Sequence, residues 1–298
     1  MKPLVSVIVS TYNRAGTILR TLESILNQTY TNIEIIVVDD GSTDNTLELL
    51  AGLKDERIRI IKHPVNRGVT AAKNTGLDNI RGEWFVSVDS DDEIVPEAIE
   101  TLIRIPLEVD PTVTAIDSGA YETESNSMSE KGLQKDQYVD EATIIRECAG
   151  DVFGMTKTSL IGSDRLNEDL PGWEDTLWYK VNARANRYYL HKKLQIYHTE
   201  GDDRISKKRF DLKVNSKTYK AVLAEQFFLV QIKKHNESRY IKHCIKGSLY
   251  LSATGDKLTA RHWVNRLKNT HRLYYMLTAM VTSLPPGLVR KVCKVVNI

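Results

Sequence analysis

The sequence predicts an open α/β fold built on a mostly parallel sheet, followed by a helical, basic C-terminal region. Three observations lead there. Four early apolar runs are continuous rather than alternating, as strands buried on both faces require. Helical periodicities separate these runs, which is the rhythm of βαβ units. Charge then divides the chain: residues 1–206 carry 22 Lys and Arg against 35 Asp and Glu, a net −13, whereas residues 207–298 carry 19 against 4, a net +15.

The predicted strands are residues 5–9, 33–38, 58–61 and 84–88. Between the first two, residues 17–28 set Ile18, Leu22, Ile25 and Leu26 on one helical face. A second helix over 46–53 carries Leu47, Leu49, Leu50 and Leu53, with Asn45 and Glu48 at capping-box spacing. A third, 69–77, follows Gly68, and a fourth, 96–105, starts with Pro96 in its first turn. Past residue 106 the rhythm changes. Residues 112–121 and 152–158 read as strands of a mixed or antiparallel kind, 173–185 as helix and 187–199 as strand. The polar stretch 123–137, rich in Ser and Glu, reads as a mobile loop. From Asp211 onward helices are joined by short polar turns, so the expected division is a domain over 1–206 and a helical region over 207–298.

The 298 residues are enough for one large domain with an appendage. Cys148, Cys244 and Cys293 are far apart and form no CxxC pair, which points to reduced thiols and a cytoplasmic protein. The N-terminal MKPLVSVIVS runs straight into a strand pattern, so no secretory signal is expected. No stretch approaches the roughly 20 apolar residues that span a bilayer. The basic C-terminal region, with its apolar run 273–284 and the mixed apolar and basic run 288–296, is expected to lie on the inner face of a membrane or to cap the first domain.

In open α/β sheets, ligands bind beyond the C-terminal ends of the strands. The first strand exits into Ser10-Thr11-Tyr12-Asn13-Arg14, the second into Asp39-Asp40-Gly41-Ser42-Thr43-Asp44, and the fourth into Asp89-Ser90-Asp91-Asp92. Carboxylates gathered this densely repel one another unless a cation lies among them. The Asp89-x-Asp91 pair suits a hard divalent ion that keeps positions open for diphosphate oxygens; acids capping the next helix are the plainer alternative. Neither GxGxxG nor GxxxxGK[ST] follows the first strand, so phosphate is not expected to sit on a backbone-amide cradle.

VSVIVSTYNR at 5–14, IEIIVVDDGSTDNT at 33–46, NRGVTAAKNTGL at 66–77 and GEWFVSVDSDDEIVPEAI at 82–99 resemble, in order and spacing, the four successive blocks of family 2 glycosyltransferases. The resemblance weakens over 106–206 and ends there. It implies a GT-A fold and an inverting, metal-dependent sugar transferase of the bacterial surface-glycan type, using Mn²⁺ or Mg²⁺ and a nucleotide-sugar donor, with UDP as the family-level expectation. Ser10 and Tyr12 would line the nucleoside pocket and Asp40 would bond the base, with Asp39 structural. Asp89 would reach the ribose, or the metal through water, and Asp91 would bind the metal directly. Lys73 stands where the family often has Arg, keeping the charge near the diphosphate but not the bidentate geometry. Pro171-Gly172-Trp173-Glu174-Asp175-Thr176 resembles the family's acidic block. Neighbouring helical residues diverge by about 100°, so only one acid of the pair faces the acceptor, and motif position selects Asp175 as general base. His198 would complete the metal shell or bond a phosphate, and Arg204 would bond the diphosphate. The expected partners are the nucleotide sugar and a glycan or lipid-linked acceptor, without nucleic acid. A polyprenyl-phosphate monosaccharide synthase, an inactive sugar-nucleotide-binding module and a nucleotidyltransferase are the alternatives; the last needs a Gly-rich basic loop that STYNR does not supply.

Overall fold

The computed structural model describes residues 2–123, 127–128, 132–147, 152–198 and 211–295. The chain divides into two compact units, Met1–Gly201 and Asp202–Ile298. The change expected near residue 206 falls within 199–210, outside the described residues.

The first unit opens with β1 (Val5–Thr11), α1 (Ile18–Leu26), β2 (Ile33–Asp39), α2 (Thr46–Ala51), β3 (Ile58–Lys62), α3 (Val69–Asp78) and β4 (Trp84–Asp89). β1 pairs in parallel with β2 on one side and β4 on the other, and β2 pairs in parallel with β3. Every residue of β1 is buried, which is why its sequence does not alternate. Ile18, Leu22 and Ile25 of α1 pack with Val5, Val7 and Val9 in one core on that face, and Leu77 of α3 packs with Ile8 and Phe85 on the other.

The second half of the unit changes strand direction. After β5 (Glu93–Ile94), α4 (Ala98–Arg104) and a π-turn over Ile105–Val109 come β6 (Ala115–Glu122), β7 (Ser127–Met128), β8 (Gln137–Val139), α5 (Glu141–Glu147), β9 (Val152–Lys157), α6 (Thr158–Ile161), α7 (Asp175–Asn182) and β10 (Arg187–Tyr197). β9 inserts antiparallel between β4 and β6, and β10 runs parallel to β6. Among the described residues the main path is β3-β2-β1-β4-β9-β6-β10-β5. Two local expectations fail. Asn45 makes no side-chain cap on α2; Asp44 does that work, accepting from Thr46 N at 3.0 Å. Within the stretch 123–137, of which 124–126 and 129–131 lie outside the described residues, Ser127–Met128 form β7 and Gln137 opens β8; strands this short carry no apolar periodicity to mark them.

The second unit is helical: α8 (Leu212–Val222), α9 (Gln226–His235), α10 (Glu237–Thr254), α11 (Lys257–Asn265), α12 (Arg272–Ser283) and α13 (Pro286–Val295). Its polar turns supply the caps. Asp211, Asn236 and Asp256 each accept a backbone N–H at a helix start, and Gly255 ends α10 in the left-handed region at φ 96°. Cys244 and Cys293 are buried free thiols, while Cys148 lies outside the described residues. α10 meets α11 where Gly247 faces the fully buried ring of Trp263, whose Nε1 donates to the Tyr219 carbonyl at 3.1 Å.

A Cβ on Gly247 would lie 2.7 Å from Trp263 Cε2, and the ring has no free space to move into. Ala would gain about 1 kcal/mol of helix propensity, but overpacking a filled core costs about 1–3 kcal/mol. Gly247→Ala is therefore expected to lower stability by up to about 2 kcal/mol in denaturant titration, opposite in sign to the propensity scale.

Candidate active site

Register places the reacting edge. Ser10 of β1 lies opposite Asp89 of β4, and Thr11 opposite Asp39 of β2, so three strand exits open side by side. Ser10 is buried, whereas Tyr12, immediately beyond β1, is 39% exposed. The next residue, Asn13, adopts φ 51°, a left-handed turn that Asn tolerates better than most residues. Its Oδ1 accepts from Thr43 N at 2.8 Å and its N–H donates to Ser42 Oγ at 2.9 Å, locking the first exit onto the second.

In the second exit, Asp39 Oδ1 accepts from Ser42 N at 2.9 Å and stabilises the turn from within. Asp40 is buried, and its carboxylate accepts from Arg67 N at 3.0 Å and Gly68 N at 2.7 Å while lying 2.7 Å from His63 Nδ1. Three of its roughly four acceptor positions are thus engaged, leaving one on Oδ2. Gly41 makes the approach possible: at φ 74°, a Cβ there would lie 2.7 Å from the Val65 backbone.

The fourth exit concentrates charge. Asp89 is exposed, and its Oδ1 lies 3.2 Å from Lys73 Nζ on α3. The same ammonium reaches Glu174 Oε1 at 2.8 Å, so Lys73 joins the Asp89 motif to the acidic block before α7. Burial works against the charge on Lys73, but Asp89 and Glu174 outweigh it, and its pKa stays above the usual lysine range. Asp91 is half-buried, its Oδ2 3.7 Å from Arg14 Nη2, and its carbonyl accepts from Arg20 Nη2 at 2.8 Å. Asp175, also half-buried, opens α7 beside Glu174. Arg187 pins the far end of that helix, donating to Asn182 and to Asp117 on β6.

His198 follows β10. Its backbone N–H donates to Asp92 Oδ1 at 3.1 Å, its Nε2 lies 2.7 Å from Glu93 Oε1, and its buried Nδ1 has no hydrogen-bond partner among the described residues. Arg204 lies outside the described residues. The structure thus brings Ser10, Tyr12, Asp40, Lys73, Asp89 and Asp91 to neighbouring exits and ties Glu174, beside Asp175, and His198 to them. Among the described residues, no three His, Cys, Asp or Glu side chains converge as a metal-holding group.

Several contributors escape sequence reasoning. Asn13 and His63 act through long-range hydrogen bonds, and only the unusual turn preference of Asn13 could have signalled it. Asp92 could have been found from its place beside the motif. It is 1% exposed and accepts from Gln195 Nε2 at 2.7 Å as well as from His198 N, strapping the fourth exit to β10. Burial, then the negative charges of Asp89 and Asp91, push its carboxyl up to about 8. A carboxyl raised from 3.8 on folding stabilises the fold fully below the lower value, and that contribution is lost as pH rises through about 8. Asp92→Asn is expected to remove this loss. In metal-free buffer, the wild-type melting temperature should fall relative to the variant's as pH is raised from the lower value past the upper one.

Known proteins agree with this architecture. The family model described as Glycosyl transferase family 2 matches residues 6–162. The chain is 33% identical over 211 residues to the GalNAc(5)-diNAcBac-PP-undecaprenol beta-1,3-glucosyltransferase of Campylobacter jejuni, covering 68% of this chain and 67% of that enzyme. It is 44% identical over 101 residues to the UDP-Glc:alpha-D-GlcNAc-diphosphoundecaprenol beta-1,3-glucosyltransferase WfaP of Escherichia coli, covering 34% of this chain and 40% of that protein. In fold it is similar to S. aureus TarS 1-349 in complex with UDP-GlcNAc, at TM-score 0.66 and 19% identity over 97% of this chain and 83% of that one. With the strand order, the four sequence blocks and these matches together, the chain belongs to glycosyl transferase family 2 and has the GT-A fold.

Proposed function

We propose that the chain transfers a hexose from a UDP-sugar to a hydroxyl of a lipid-linked glycan, inverting the anomeric centre in one displacement. The observation that carries this reading is the Asp89–Lys73–Glu174 contact, which couples the donor motif to the acidic block on which acceptor activation depends. The relatives named above act on undecaprenol-diphosphate-linked acceptors, which supports the same class here.

Tyr12 has the exposure to stack on a base, Ser10 borders it, and the remaining acceptor position of Asp40 suits an imide N–H of uracil. Asp89, exposed at the end of β4, is suited to the ribose hydroxyls. A divalent cation fits the donor set: Asp89 and Asp91 offer hard oxygens, and their negative charges, which add to burial in raising the Asp92 carboxyl, are ones a cation would neutralise. Magnesium of this kind is held by one or two carboxylates with substrate phosphates completing its shell, so a three-residue protein cage is not required. When bound, Mn²⁺ or Mg²⁺ supplies Lewis-acid stabilisation of the departing diphosphate. The unpaired Nδ1 of His198 is the atom that residue can offer to the cation or to a phosphate, and Arg204 is assigned to the same diphosphate.

Motif position assigns Asp175 as the acid that removes the acceptor proton while the hydroxyl attacks from the face opposite the leaving group, with Glu174 beside it held by Lys73. A lipid-linked acceptor puts this reaction at a membrane, on the cytoplasmic side where the donor is made, with the basic second unit suited to contact its surface.

Asp91→Ala is expected to abolish transfer and weaken metal-dependent donor binding, measured by calorimetry with UDP-sugar and Mn²⁺. Undiminished activity in EDTA together with an unaffected variant would sink the metal assignment. Asp175→Asn should retain donor affinity but lose about 10²–10⁴-fold in turnover. Glu174→Gln should be milder in turnover, and the reverse ranking in a nucleoside-diphosphate release assay would move the base to Glu174.

A further inference from the structure

Helix α12 turns an apolar stripe to solvent. Its inward side is small and mixed: Thr278 and Thr282 are buried, Val281 packs half-buried on the cluster of Leu249 and Val289, and Thr282 returns its hydroxyl to the Thr278 carbonyl at 2.8 Å rather than to another helix. The opposite side is apolar and open to solvent. Leu273, Met276, Leu277 and Met280 stand at i, i+3, i+4 and i+7, a single stripe at about 100° per residue, with Tyr274 on its flank. Leu273 is 67% exposed, Met276 66% and Met280 62%. A helix in water gains by turning such a stripe inward; this one turns it out, along most of its length.

The charge around the stripe is one-sided. After Asp256 the sequence contains no Asp or Glu, while Lys257, Arg261, Arg266, Lys268, Arg272, Arg290, Lys291 and Lys294 follow. α13 presents Arg290, Lys291 and Lys294 together with exposed Leu288 and Val295. Lys257 donates to the carbonyls of Ser283 and Leu284 at 3.2 Å each, fixing where α12 ends and α13 begins. No helix among the described residues is long and apolar enough to cross a bilayer.

We infer that α12 lies in the interface of a bilayer containing anionic lipid, with Leu273, Met276, Leu277 and Met280 inserted among acyl chains and the α13 cations against the headgroups. Each half of the surface excludes a rival occupant. Pairing of the stripe with the same stripe of a second copy would bring like charges together, and a nucleic acid would leave the apolar stripe in water. An anionic bilayer satisfies both halves at once. The inference deepens the membrane contact proposed above, and it can fail while sugar transfer stands, because it is read by binding alone.

The test is co-sedimentation of the full chain with vesicles of phosphatidylcholine, with and without phosphatidylglycerol. The unaltered protein should pellet with the anionic vesicles, remain in the supernatant with the neutral ones, and be released by high salt as the surface charge is screened. The triple variant Met276→Gln, Leu277→Gln and Met280→Gln touches no buried position, so it should keep the melting temperature while losing roughly tenfold or more in partitioning. Lys291→Gln with Lys294→Gln should weaken binding to anionic vesicles only. The inference is overturned if the unaltered chain stays in the supernatant with anionic vesicles, or if the triple variant binds as the unaltered chain does. It is equally overturned if velocity sedimentation shows self-association that the triple variant abolishes, which would assign the stripe to a second copy.

Discussion

One ammonium group organises the acidic edge of the first unit. Lys73 lies between Asp89, at the end of a central strand, and Glu174, at the head of α7, with both carboxylates within 3.2 Å of its nitrogen. Burying a lysine charge costs several kcal/mol unless it is paired, about what an unpaired buried ion forfeits in hydration. Here two acids share the one cation, and each would otherwise add to the repulsion already felt around Asp91 and Asp92. The arrangement suits Lys better than Arg. A compact ammonium distributes its three donors over two separate partners, whereas a planar guanidinium favours one partner in a fork. The Asp89 exit and the acidic block at Glu174, far apart in sequence, are therefore joined through a single side chain.

Around this centre the loops are held from behind, leaving their outer faces for ligand. Asn13 ties the first exit to the second, Asp40 fastens the 67–68 backbone to the end of β2, and Asp92 straps the fourth exit to β10. Each fastening uses a side chain to satisfy backbone N–H groups that no strand or helix can pair. Loops fixed in this way lose little further freedom on binding, which is the condition for orienting a sugar donor with small entropic loss. The same packing buries the Asp92 carboxyl near Asp89 and Asp91, and burial first, then their charges, raises it.

The second unit solves a different problem. Its core gathers Trp263, Tyr219, Phe228 and Tyr250 within a small helical bundle, and burial pushes His243 beside them down to about 4, with Arg239 and Lys246 adding to the shift. The histidine is thus neutral in the interior, and the unit's positive charge stands outside. Helix α12 differs from its neighbours in leaving Leu273, Met276, Leu277 and Met280 exposed along one side.

Much of this was legible in one dimension. Parallel strands buried on both faces must be apolar throughout, so β1, β2 and β4 announced themselves, and the acids at their exits followed from where such sheets bind ligands. The charge division and the caps at Asp211, Asn236 and Asp256 are likewise local properties of the chain. What only the tertiary structure decided is who meets whom. Nothing near residue 152 encodes that β9 inserts between β4 and β6, since strand order depends on how whole layers cover one another. The choice of Asp44 over Asn45 as the cap of α2 turned on where the first exit docks, since Asp44 also accepts from Ala15 N. Lys73 and Glu174 are 101 residues apart, and their contact is a consequence of packing α3 and α7 against one sheet edge. Periodicity records which face of an element is buried, while pairing is set by long-range geometry that no local pattern contains.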